Sequence, residues 1–266
     1  MDHLQHFFQY GPLTAVVAYG MACLGAGLGL RCMVRAAAAR GFTKQRWLVI
    51  AAVAIGSGVW TMHLIAILGF AVDGSPVRYD VPLTLLSLLV AIVFVLAGVC
   101  GIGYSRSRAQ GVALGGTGIG IGIAGMHYVG MAAMEIHGSL SYEIGPVVLS
   151  VLVGVGASCL AVAVATMATS ARGTIAAALL MGVAASVTEY AGIVALQLDI
   201  VPGTSVLPGA SAVDFVFPFV VVFGSFLLLS SAFVALSPIR PDRDTAPLLA
   251  DPSIEPTQRT ERGHHA

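Results

Sequence analysis

Residues 124–134 read AGMHYVGMAAM, and two other parts of the chain repeat this pattern. Residues 60–67 read WTMHLIAI, and residues 187–195 read VTEYAGIVA. The aligned positions are separated by 64 and then 62 residues, and such a regular period indicates an internal repeat. Each period is long enough for two membrane-spanning helices. We therefore expect three two-helix units followed by a seventh helix, with each motif in the second helix of its unit.

The composition is that of a chain whose surface faces lipid. Of the 266 residues, 57% are hydrophobic and 10% are charged, whereas a soluble domain carries about 25% charged residues. The net charge is zero, so no nucleic-acid partner is expected. The sequence predicts an all-α integral membrane protein, a seven-helix transmembrane bundle, because seven apolar segments reach the ~20 residues that a span needs. These segments are 12–34, 47–70, 81–103, 111–134, 146–168, 174–197 and 213–236.

The charged residues divide between the two ends of these segments. Twelve of the thirteen Lys and Arg residues fall on one side, and only Arg78 falls on the other. Basic loops of membrane proteins stay in the cytoplasm, so we expect residues 1–11 outside the cell and the tail, 237–266, in the cytoplasm. The tail is rich in polar residues and proline and is predicted to be disordered.

Each repeat places one ionisable residue at the same depth. His63, His127 and Glu189 each lie 17 residues beyond the basic end of their segment, which corresponds to roughly 25 Å of helix. In a hydrocarbon core of ~30 Å this is near the outer edge. The sequence therefore predicts one polar layer close to the outer face of the membrane.

The residue types in this layer suit a copper site. Histidine binds copper in either oxidation state, and the thioether of methionine favours Cu(I). A single intramembrane histidine can instead bond a neighbouring helix, and a single methionine can fill a core gap, but repetition at one depth favours a site. Glu189 could be a ligand, a group that orients a histidine, or a proton carrier. The candidate metal ligands are His63, His127, Met62, Met126 and Met131, with Glu189 and Met134 as additional candidates.

The second motif resembles the signature of the MHYT domain, a bacterial integral membrane sensor domain. The first motif is similar to another copy of that signature, and the third resembles a degenerate copy. The resemblance covers roughly residues 10–236. It implies a multi-pass sensor in the bacterial cell membrane that binds copper near the outer face and, through it, a diatomic gas or redox signal. Many members of the family are joined to signalling enzymes, so a separate output protein is the expected partner here.

The chain departs from the family pattern at the ligands. Glu189 stands where a third histidine is expected, and Thr188 stands where a third leading methionine is expected. The later methionines of the first and third copies are replaced by Ile67 and Ile193. A two-histidine copper site with methionine ligands is therefore expected rather than a three-histidine site.

Three other functions are compatible with the same residues. A transporter could move a metal ion or proton past the polar layer, although the inner halves of the helices show no continuing polar path. A haem could be held between His63 and His127 as axial ligands. An enzyme is the least supported function, because no nucleophile–base pair, phosphate-binding loop or metal-hydrolase motif is present in the sequence.

Overall fold

The computed structural model describes residues 12–68, 75–168, 170–201 and 207–236. Within these residues seven helices are long and apolar enough to cross a membrane, so the predicted seven-helix membrane fold is confirmed. A short π-helix, Ala212–Val216, leads into the last of them. The segments 1–11 and 237–266, for which an outer terminus and a disordered tail were predicted, lie outside the described residues. The helices are α1 (Pro12–Ala38), α2 (Gly41–Leu68), α3 (Val81–Tyr104), α4 (Arg108–Ala132), α5 (Ile144–Met167), α6 (Ala171–Val194) and α7 (Phe217–Leu236).

The helices form three pairs around a common axis. Helices α1 and α2, α3 and α4, and α5 and α6 pack as pairs, and α6 returns to α1 to close the ring. Helices α2, α4 and α6, which carry the three motifs, also contact one another and form the inner layer. The predicted two-helix units are thus the packing units of the bundle.

Helix α7 covers the first unit and contacts α1 and α2. The indole of Trp60 meets the rings of Phe219 and Phe223 edge-on, at centroid distances of 5.8 and 5.2 Å. Its Nε1 also donates to the hydroxyl of Ser87 on α3, at 3.0 Å. A buried Trp with a satisfied N–H is a stable anchor, so Trp60 fixes α7 on the bundle.

Several helix ends differ from the predicted spans. Arg35 and Lys44 fall between the first two predicted spans, 12–34 and 47–70, but they lie in α1 and α2. Only residues 39–40 separate these helices. The predicted spans end at the last apolar residue. A helix can continue into the membrane–water interface, because long basic side chains on it reach polar groups there. The Nζ of Lys44, for example, donates to the carbonyl of Gly103 at 2.6 Å. We call this end of the bundle, where α1 ends and α2 begins, the basic end.

Short strands cover the opposite end, which we call the strand end. The strands β1 (Arg78–Tyr79), β2 (Met134–Glu135) and β5 (Ala210–Ser211) form one antiparallel sheet in the order β2-β1-β5. A second sheet pairs β3 (Gly138–Tyr142) with β4 (Leu196–Ile200). Helices α4 and α6 therefore end earlier than the predicted 134 and 197, because the chain turns into β2 and β4. The sheets tie the loops of the three units together directly beyond the motifs.

Candidate metal centre

The three aligned ionisable residues meet in the interior of the bundle. Nδ1 of His63 lies 2.8 Å from Oε1 and 3.0 Å from Oε2 of Glu189. Nδ1 of His127 lies 2.9 Å from Oε2 of the same carboxylate. The two imidazole rings stand edge-to-face, with centroids 5.4 Å apart. All three side chains are almost completely buried, with relative exposures of 0%, 0% and 1%. We call these residues the His–Glu–His cluster.

The repeat explains why the cluster forms. Each member is carried by the inner helix of its own unit, and the three inner helices run in the same direction from the basic end to the strand end. The nearly constant repeat period places the residues at one level, and packing about a common axis turns them toward each other. Of the seven residues predicted as ligands, the structure brings together the nitrogens and carboxylate of His63, His127 and Glu189.

The charge of the cluster follows from its burial. An isolated carboxylate in a membrane interior is expensive because no water solvates it. A net charge of zero is reached when the cluster holds one proton, on the carboxylate or on one imidazole. Without that proton, the carboxylate leaves one negative charge for a cation to balance.

Two glycines make room for the imidazole edges of His63 and His127 that carry Nε2. Nε2 of His63 abuts Gly130, and Nε2 of His127 abuts Gly192, so closely that a Cβ on either glycine would collide with the ring. Both Nε2 atoms are buried and have no hydrogen-bond partner among the described residues. Each glycine lies three residues after the motif residue of the following unit, while the equivalent position of the first unit holds Ala66. This spacing was readable in the sequence and was missed there.

The predicted methionine ligands lie in the buried core of the bundle. Met62, Met126, Met131 and Met134 are all buried. The sulfur of Met62 lies 3.9 Å from the hydroxyl of Ser186 on α6. Met134, which was predicted to continue the helical stripe of His127, instead lies in β2 and pairs with Tyr79 of β1, because α4 ends at Ala132.

Aromatic and hydroxyl groups pack on one side of the cluster. The ring of Tyr128 stands edge-on to His127, with centroids 5.0 Å apart. Its hydroxyl lies 2.6 Å from that of Ser150 on α5, and its ring also meets Tyr142 of β3 at 5.6 Å. These contacts connect the His127 ring to the strand end. Burial, reinforced by the neighbouring Tyr128, raises the pKa of Tyr142 to about 12, so this phenol is neutral at physiological pH.

Two apolar layers separate the cluster from the basic end. The residues four positions before the cluster members, and those eight positions before, are all buried and belong to the same core. At 1.5 Å per residue these layers lie about 6 and 12 Å below the cluster. Their side chains contain no oxygen or nitrogen atom, and the thioether of Met181 is their one sulfur. The layers are Val59, Ile123 and Ala185, and then Ile55, Ile119 and Met181.

Comparison with known proteins identifies the repeat. The model of the MHYT family, described as a bacterial signalling protein N-terminal repeat, matches residues 56–115 and 120–178. These two matches contain the first and second motifs, whereas the third motif lies outside them. No solved structure matches this chain.

Three curated bacterial proteins are similar over most of the chain. An uncharacterized signaling protein of Caulobacter vibrioides is 32% identical over 211 residues, which are 76% of this chain and 24% of that protein. The cyclic di-GMP phosphodiesterase NbdA of Pseudomonas aeruginosa is 32% identical over 209 residues, 76% of this chain and 26% of NbdA. The bifunctional diguanylate cyclase/cyclic di-GMP phosphodiesterase MucR of the same organism is 34% identical over 199 residues, 72% of this chain and 28% of MucR. The chain thus spans about a quarter of the length of these relatives.

Proposed function

The chain belongs to the MHYT-domain family of bacterial signalling proteins, and on that premise we propose that it is a membrane sensor domain that binds copper at the His–Glu–His cluster. The single observation that carries the proposal is the meeting of two buried imidazoles on one carboxylate. Their donor atoms all lie within 4.8 Å of one another, so one ion can contact all three residues. These ionisable side chains are far too buried to serve only as solvated surface groups.

The charge of the cluster favours Cu(I). With both histidines neutral, the carboxylate of Glu189 balances one positive charge, so a monovalent ion leaves the buried site uncharged. A divalent ion would leave one uncompensated charge in the membrane interior. Imidazole is a suitable ligand for copper in either oxidation state, and the buried thioethers of Met62, Met126 and Met131, in the same two motifs as the histidines, are soft donors that favour Cu(I).

The residues of the chain have distinct roles in this proposal. His63 and His127 would hold the ion through Nδ1, the nitrogens that converge on Glu189, and the carboxylate of Glu189 would join them as a ligand. Gly130 and Gly192 admit the ring edges, and the apolar layers below exclude water. When bound, copper supplies a redox-active centre that takes up or releases one electron and can bind a diatomic gas.

The signal is proposed to pass from the outer face to the cytoplasm. The positive-inside rule places the basic end in the cytoplasm, which puts the cluster and the strand end near the outer face. NbdA and MucR are named as enzymes of cyclic di-GMP turnover. By analogy, the output of this chain is an enzyme of that class, and the chain itself contributes the sensing step rather than catalysis.

Transport and haem binding are the competing functions. The two apolar layers between the cluster and the basic end argue against transport, because their side chains offer an ion no oxygen or nitrogen ligand and only one thioether, that of Met181. A haem held by both histidines would need their free nitrogens to face each other across the macrocycle. The Nε2 atoms of His63 and His127 instead abut two different glycines, Gly130 and Gly192, which favours a small ion over a macrocycle.

The test is the copper content and optical spectrum of the purified chain. We expect one copper per chain in the wild type and loss of copper in the His63→Ala/His127→Ala variant. His137→Ala is the matched control, because His137 lies between β2 and β3, outside the cluster. Unchanged copper in the double variant would refute the proposal, and an intense Soret band in the wild type would establish haem instead.

A further inference from the structure

An apolar cavity, partly open to the surface, lies among the six helices at the basic end, on the far side of the apolar layers from the cluster. Its volume is about 260 Å³, and residues of all six helices of the three units line it. Ile55, Ile119 and Met181, the lower apolar layer, form its roof. The cavity is therefore a separate site from the His–Glu–His cluster.

The lining of the cavity selects an apolar occupant. Leu48, Val99, Ile102 and Val162 contribute hydrocarbon side chains to its wall. Water is a poor occupant, because a buried water needs polar partners. An apolar cavity of about 150 Å³ already binds benzene, so this cavity has room for a longer hydrocarbon chain. An empty cavity of this size lowers stability in proportion to its volume, and an occupant that restores the lost contacts is favoured.

The charges around the cavity select an anionic head group. Lys44 lines the cavity, and its ammonium lies at the basic end, 4.5 Å from the centre of the Tyr104 ring. Within the described ranges this end carries eight cationic residues and no acidic one. They are Arg31, Arg35, Arg40, Lys44, Arg46, Arg106, Arg108 and Arg172, while the described acids Asp80, Glu135, Glu143, Glu189, Asp199 and Asp214 all lie toward the strand end.

We propose that this cavity binds the acyl chain of an anionic amphiphile, a fatty acid or a phospholipid, with its head group beside Lys44. The ligand would enter at the basic end, and its chain would reach the roof formed by Ile55, Ile119 and Met181. An occupant at this position fills the space between the basic ends of the three units. Its binding does not depend on copper, because the two sites share no residue.

The test uses the full chain in nanodiscs of phosphatidylcholine and the fluorescent fatty acid cis-parinaric acid. We expect saturable binding to the wild type. Ala165→Phe on α5 and Val99→Phe on α3 fill the cavity from two sides, and each is expected to weaken binding at least tenfold. Lys44→Gln is expected to weaken it about threefold, as for loss of a partly exposed ion pair. Arg46→Gln is the matched control, because it removes one charge from the same helix at a residue outside the lining, and it should weaken binding less than Lys44→Gln does.

Competition identifies the source of the ligand. Displacement of the probe by phosphatidylglycerol in the nanodisc identifies a phospholipid, and displacement by dodecanoate alone identifies a free fatty acid. Absence of saturable binding to the wild type, wild-type affinity in a folded cavity-filling variant, or displacement by neither competitor would overturn the proposal. The copper content of the same samples reports separately on the His–Glu–His cluster.

Discussion

Nδ1 of His63 contacts both carboxylate oxygens of Glu189, at 2.8 and 3.0 Å, across 126 residues of sequence. The contact joins the first repeat unit to the third and closes the ring of helices at its polar level. His127 of the second unit reaches the same carboxylate. Glu189 is thus the member of the cluster that both histidines share, although the sequence alone made it the least certain of the three.

Replacing Glu189 by Gln should weaken copper binding while preserving the shape of the side chain. The neutral amide cannot balance the charge of the ion, and it can accept a hydrogen bond through only one of its two terminal atoms. Loss of a carboxylate that supports a metal-binding histidine typically costs 10- to 100-fold in affinity. Competition with a Cu(I) chelator measures the change. Glu143→Gln, at the strand end and outside the cluster, is the control, and equal affinities in the two variants would refute the role of Glu189.

Gly130→Ala and Gly192→Ala should each destabilise the chain by about 1–3 kcal/mol, the usual cost of forcing extra atoms into a packed core. The added methyl group would collide with Nε2 of His63 or of His127, so the ring must move off the carboxylate. Thermal unfolding in detergent measures the effect. In Gly156→Ala the new methyl group meets nothing within 4 Å, and this variant should be neutral or more stable. A similar response of all three variants would contradict the proposed packing of the rings.

The third motif has Glu189 where the others have histidine, and the first unit has Ala66 where the others have a glycine. We infer that these two differences are linked. His63 and His127 each abut the glycine three residues after the motif residue of the next unit. If the third unit follows the same cyclic rule, a histidine at position 189 would face Ala66 rather than a glycine. We expect Glu189→His alone to lower the melting temperature. Adding Ala66→Gly should recover part of this loss by making room for the ring edge. Additive effects of the two substitutions would show that Ala66 and residue 189 are not coupled.

Proteoliposomes should show no copper or proton flux through this chain. An ion leaving the cluster toward the basic end meets the layer of Val59, Ile123 and Ala185 and then that of Ile55, Ile119 and Met181, which offer no oxygen, nitrogen or anionic ligand. Flux measurements with a metal-sensitive or pH-sensitive dye inside the vesicles test this. Flux above protein-free vesicles that is abolished by His63→Ala would favour the transporter.

The sequence alone was sufficient to predict the seven helices and to predict that the cluster residues share one depth. Apolar length predicts the seven spans because lipid imposes a minimum length, and the repeat predicts that His63, His127 and Glu189 share one depth. It did not predict which atoms meet, because the helical period fixes the direction of a side chain around the helix axis only approximately. Strands β1 and β2 were missed because they pair only two residues each, too few for an alternating pattern, and the five-residue pair of β3 and β4 was missed as well. The cavity was not predictable either, because it results from how six helices pack together.

Copper K-edge X-ray absorption of the purified chain tests the central claim most directly. The account predicts first-shell nitrogen or oxygen scattering with the outer-shell pattern of two imidazoles, which disappears in His63→Ala/His127→Ala and persists in His137→Ala. A copper environment without imidazole scattering, or the same spectrum in the double variant, would contradict it.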